Sequence, residues 1–197
     1  MRSILKAAAG LCLLLLTSAC LVETEATLAD PDPKSVDTRL LGAWYTAKGG
    51  EVVLFSVVAD DSKPGIYRVA FVNINPHADS GIEAVRYQAW RTVVNGHSYL
   101  NVRRTSGSGT DTPALTIVSY DFGNDGMLVL RLMDTKQVIA AIEAGKLKGR
   151  FTKGRYVDEA TITASRAELA AFIAGADHNA LFATKTGALH KLAESPN

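Results

Sequence analysis

The chain predicts a mainly β fold, an antiparallel up-and-down meander or barrel followed by one or two C-terminal helices. Three observations carry this expectation. Six or seven short apolar runs recur at steady spacing with turn residues between them. One run, Glu83 to Val94, alternates with a period of two and leads directly into Asn95-Gly96, a dipeptide suited to a type I′ hairpin because both central residues take positive φ. Helical spacing with capping residues arrives only after Asp134.

At the start, Arg2 and Lys6 precede an apolar run from Ala7 to Leu16, and Thr17-Ser18-Ala19-Cys20 follow. A cationic start, an apolar stretch and small residues at a cleavage point make an export signal. Ten residues rise only about 15 Å as a helix, half of a roughly 30 Å hydrocarbon core, so the run is too short to be a stable span. The pattern resembles a bacterial lipoprotein lipobox, with Thr17 where Leu or Val is usual. That resemblance implies removal of residues 1–19 and lipidation of Cys20. With Leu21 rather than Asp next in line, it also implies the outer membrane, periplasmic face. Stable anchoring needs more than one acyl chain at about 0.8 kcal/mol per buried methylene, which a diacylglyceryl cysteine supplies.

Cysteine usage narrows the chemistry. Cys12 leaves with the signal and Cys20 is committed to lipid, so no thiol remains for disulfides, zinc-thiolate sites, iron-sulfur ligation or nucleophilic catalysis. Of 21 basic residues, Arg2 and Lys6 are lost with the leader, which leaves 19 against 20 acidic and a net charge of about −1. A nearly neutral, well-mixed surface gives no electrostatic reason to bind nucleic acid.

Residues 20–38 read as the lipidated cysteine and a flexible tether, because Glu23, Glu25, Asp30, Asp32 and Asp37 are interspersed with Pro31 and Pro33. Residues 39–183 are expected to fold as one β-rich domain with its C-terminal helices, and 184–197 to form a flexible tail. Within the domain, Glu51 to Val58 precedes the loop Asp60 to Gly65, and Gly65 to Asn73 alternates with Tyr67, Val69 and Phe71 on one face. In Glu83 to Val94, the residues Val85, Tyr87, Ala89 and Val93 share one face and Arg86, Gln88, Trp90 and Thr92 the other. His97 to Arg104 returns, Ala114 to Phe122 follows Pro113, and Gly123 to Gly126 turns into Met127 to Met133. Asp134 and Ser165 then cap two helices, the second with Glu168 in a capping box, and Glu159 to Thr163 between them is expected to be the last strand.

Leu40-Leu41-Gly42-Ala43-Trp44-Tyr45 opens the domain just before the first strand. Gly42 and Trp44 resemble the Gly-x-Trp signature of lipocalin-like (calycin) barrels. The resemblance implies that Trp44 closes one barrel end beneath a cationic side chain, for which Arg150, Arg155 and Arg166 are the sequence candidates.

Catalytic patterns are missing. His77, His97, His178 and His190 are scattered with no metal-binding pair spacing. Lys185-Thr186-Gly187 matches a K-T-G element, but its S-x-x-K companion, Ser3 to Lys6, falls in the leader. The expectation is therefore a non-catalytic protein without metal or cofactor. Tyr67, Arg86, Tyr87, Trp90, Tyr99 and Arg103 lie on predicted strands and are the candidate ligand-binding residues at an open barrel mouth. The expected partners are the membrane, through the anchor, and a small hydrophobic or amphiphilic ligand. The alternative is an accessory protein of a cell-envelope assembly with no ligand cavity.

Overall fold

The structure, a computed structural model, describes residues 22–76, 81–106, 115–155 and 158–192, so the leader, Cys20 and His77 lie outside the described residues. Its centre is a closed antiparallel barrel of eight strands. These are β2 (Gly42–Lys48), β3 (Glu51–Ala59), β4 (Tyr67–Ile74), β5 (Ile82–Val94), β6 (His97–Ser106), β7 (Leu115–Phe122), β8 (Leu128–Leu132) and β11 (Thr184–Lys191). Each pairs with its neighbours, and β11 closes the ring between β8 and β2.

The period of two does the sorting. Val53, Phe71, Val85 and Tyr87 turn inward from β3, β4 and β5 and are buried, whereas Ser56, Arg68 and Arg86 on the alternate positions are exposed. Val93 departs from the expected face and is 47% exposed, because β5 and β6 run on past the barrel rim into their hairpin. At that hairpin Asn95 has φ +48° and Gly96 φ +80°, the backbone that the turn requires.

A second layer covers part of the barrel. Between β8 and β11 the chain forms α1 (Thr135–Glu143), β9 (Gly149–Thr152), β10 (Glu159–Ile162), α2 (Arg166–Gly175) and the short α3 (His178–Leu181). Asp134 caps α1 by accepting from Gln137 N, and Ser165 and Glu168 complete the expected capping box on α2. Val138, Leu169, Ile173, Leu181 and Phe182 pack with Tyr99 and Ile117 on the outer faces of β6 and β7. Covered outside and lined inside, Leu115 to Tyr120 is buried at every position.

Three expectations are corrected. Residues 22–38 do not hang free: Glu23–Thr24 forms β1, which pairs in parallel with β10, and Val22, Thr27, Leu28 and Asp37 are buried. Leu28 N donates to Asn101 Oδ1 at 2.7 Å, and Trp90 Nε1 donates to the Ala29 carbonyl at 2.7 Å. Counting carboxylates missed this, because a few spaced apolar residues and long-range polar partners fix the segment. Residues 184–191 are no tail but β11, whose Leu189 is fully buried. A strand that fills the last gap gains backbone partners on both sides, so it needs few large side chains, and Gly187 at φ +98° sits where its register with β8 shifts. Finally, β10 is not the last barrel strand: it belongs to the outer three-stranded sheet β1-β10-β9.

Candidate functional site

One end of the barrel is plugged by the segment leading into β2. Two short 3-10 turns, Pro33–Ser35 and Thr38–Leu40, carry the chain over this end. Tyr67 OH accepts from Asp37 N at 2.6 Å, and Tyr120 OH donates to Asp37 Oδ2 at 3.1 Å. Arg39 completes the shell with Nε at 2.9 Å from Oδ1 and Nη2 at 2.7 Å from Oδ2. The Arg39 guanidinium holds the Asp37 carboxyl below the usual carboxylate range, with Tyr120 adding to the effect against the cost of burial. A buried carboxylate is tolerable only with such partners.

Trp44 is 1% exposed at this end, and its Nε1 donates to the Leu40 carbonyl at 2.8 Å. The cation over its ring is Lys191, with Nζ 5.4 Å from the centroid, and not one of the three arginines. Arg150 pairs with Glu25 and Arg166 with Asp30, both on the outer layer. Strand register explains the choice, since Lys191 lies directly opposite Trp44. Gly42, at φ +120°, gives Lys191 room: a Cβ there would come within 2.9 Å of its Cε.

Above the plug lies an apolar cavity of about 80 Å³. Leu40 forms its floor, and Phe55, Val69, Tyr87, Leu100 and Val102 are among its walls. Val53, Phe71 and Val85 are almost fully buried in a neighbouring apolar cluster against which the wall residues Phe55, Val69, Leu100 and Val102 also pack. Burial pushes the Tyr87 hydroxyl up to about 12, while the charge of Arg104 lowers it and that of Glu83 raises it. Asn73, opposite Glu83 in the register, keeps Oδ1 buried without a partner. The far end thus sets polar groups above a carbon-lined space.

The six candidate residues do not converge on one mouth. Tyr67 and Tyr87 line the cavity. Trp90 faces outward against the N-terminal segment with Arg103 stacked over its ring at 5.3 Å, and Arg86 is exposed on the outer surface. Tyr99 packs in the outer layer. Sequence reasoning missed Leu100 and Val102, although their parity in β6 was available as a signal.

It also missed the pairing of His97 with His178, whose rings stack at 3.7 Å and 6°. Tyr99 OH and Ser119 Oγ lie 3.0 and 3.3 Å from the two nitrogens of His178. Ser119 is 2% exposed, and the second imidazole nitrogen meets a phenol rather than a carboxylate, so the cluster pins α3 to the barrel. Among the described residues no group of three or more His, Cys, Asp or Glu side chains could hold a metal ion.

These features define a closed eight-stranded antiparallel barrel compatible with a lipocalin-like fold. No protein-family model matches the chain, and comparisons with curated proteins and with solved structures find no similar protein.

Proposed function

We propose that this chain is a lipid-anchored, non-catalytic periplasmic protein of the outer membrane whose barrel holds a slender apolar part of a small hydrophobic or amphiphilic ligand. The single observation that carries the ligand reading is the carbon-lined cavity inside a closed barrel. Its size limits the occupant. Pockets that enclose drug-sized ligands span about 300–1,000 Å³, and a dry apolar cavity of about 150 Å³ takes up benzene. About 80 Å³ suits something slimmer, the end of an alkyl chain. Tyr87, Glu83, Arg104 and Asn73 at the far end supply polar contacts for a head group. The anchor reading rests on the leader and Cys20.

Two experiments test it. Labelled palmitate should appear on the wild-type chain and not on Cys20→Ser, which should also leave the membrane fraction. A fluorescent alkyl probe should bind with one-to-one stoichiometry and lose affinity at least tenfold in Leu100→Phe, which fills the cavity. Equal titration curves for the two proteins would remove the ligand reading.

A second reading, an accessory protein of an envelope assembly, is favoured by a groove of about 440 Å³ between α1 and the α2–α3 corner, lined by Ala140, Ala144, Ala171, Phe172 and Ala180. Activity in cells that survives Leu100→Phe but not Ala171→Arg would select it.

A further inference from the structure

The N-terminal segment runs along the outside of the barrel from the far end to the plug. Val22 is 2% exposed, and its carbonyl accepts from Thr116 Oγ1 at 2.9 Å, at the point where β7 begins. Leu28 then meets Asn101, Ser35 Oγ donates to the Arg91 carbonyl at 3.2 Å, and Asp37 enters the plug. Cys20 is two residues before Val22, a span of at most about 7 Å of extended chain. A lipid on Cys20 therefore pulls the far end, and not the plugged end, toward the bilayer.

The outer surface at that same end is apolar. Register across β3, β4 and β5 aligns Leu54 with Val72 and Ala84, and Val52 with Ile74 and Ile82. All six occupy outward positions, alternate to the buried Val53, Phe71 and Val85, and Ile82 is 62% exposed. Moving toward the plugged end, the next outward position on β5 is Arg86, and Arg68 on β4 lies one row further on. Both are exposed, and they flank a shallow groove of about 400 Å³. Two aliphatic rows followed by guanidinium groups match the change from acyl chain to phosphate at a lipid surface, where long cationic side chains reach the head groups.

We propose that the far end of the barrel rests on the bilayer, with the Leu54–Val72–Ala84 and Val52–Ile74–Ile82 rows at the acyl boundary and Arg86 and Arg68 at the phosphates. The proposal rests on the anchor reading and adds an orientation to it. It also turns the polar far end of the barrel toward the membrane, so an amphiphile would exchange with the bilayer without crossing the periplasm.

Once the leader with Cys12 is removed and Cys20 is acylated, no other thiol remains, so single cysteines can be labelled cleanly. Ile82→Cys and Ala84→Cys report the far end, and Asp61→Cys and Asn124→Cys the plugged end; all four positions are exposed. The acylated protein, bearing an environment-sensitive fluorophore at one position, is placed in vesicles of phosphatidylethanolamine and phosphatidylglycerol. Emission at 82 and 84 should shift to the blue and rise about twofold or more, with quenching by nitroxide lipid, while 61 and 124 stay as in solution. Uniform or reversed responses on protein carrying labelled palmitate overturn the orientation alone. A blue shift that follows protein density rather than lipid overturns it in favour of a second copy. Absence of palmitate removes the anchor reading, and the orientation with it.

Discussion

Asp37 and Tyr120, 83 residues apart in the chain, meet at 3.1 Å inside the plugged end of the barrel, where the phenolic hydroxyl donates to the carboxylate. Through this contact and the one to Tyr67, a segment whose composition reads as a tether becomes a structural plug. Asp37→Ala takes the carboxylate partner from the buried Tyr120 hydroxyl while leaving the main-chain contact to Tyr67, and should cost about 1–3 kcal/mol in chemical denaturation, whereas a substitution in a free tether stays within about 0.5 kcal/mol. Combined with Tyr120→Phe, the losses should fall short of additive by about 0.5 kcal/mol or more.

The same carboxylate sets one acid limit. Its folded-state pKa lies below the unfolded value because Arg39 hydrogen-bonds the charged form. Its stabilising contribution is therefore present above the unfolded pKa of about 4 and is lost as pH falls through the folded one. Denaturation midpoints of wild type and Asp37→Asn should converge at the acid end of a pH series.

His178 sets an earlier limit. Burial, then the neighbouring charges of His97 and Arg131, lowers its pKa from the ordinary 6.5. For a base lowered on folding, the unfolded chain binds the proton more tightly, so stability falls as pH drops below about 6.5. Groups facing it include Asp121 and Asp177, which oppose the shift. Thermal midpoints should decline between about pH 7 and pH 5, and His178→Gln should flatten that slope. An unchanged slope would show that α3 is not held by the neutral ring.

At the barrel seam, Leu189→Ala should cost about 2–5 kcal/mol, because the side chain is fully buried in a strand that closes the ring. A frayed tail would register no change. Two residues further along the same strand, Lys191→Met should cost about 0.5–1 kcal/mol through loss of the cation over Trp44, while Gly42→Ala should cost at least about 1 kcal/mol because φ +120° disfavours a side chain.

Much of the fold was readable where a local rule suffices. Alternation in β4 and β5, the Asn95-Gly96 turn and the Ser165/Glu168 capping box all depend on residues within a few positions of one another. What escaped depends on partners far along the chain. β11 has one fully buried apolar side chain and is stabilised by edges that β2 and β8 provide. β1 exists because Thr161 and Ile162 are there to pair with Glu23 and Thr24. For the site, the inward parity of Tyr67 and Tyr87 was legible. The outward fate of Trp90 and Tyr99 was not, because a second layer buries the outer face and an aromatic there looks the same in sequence as one inside. Lys191 over Trp44 could not be found either, since closure register alone brings them together.

The central claim is that the barrel interior accepts an apolar occupant. Native mass spectrometry of the protein purified from its own cells measures this most directly. A population one ligand heavier than the ligand-free protein is expected, absent from Leu100→Phe prepared in the same way. A wild-type spectrum showing only the ligand-free protein, identical in form to that of the filled variant, would contradict it.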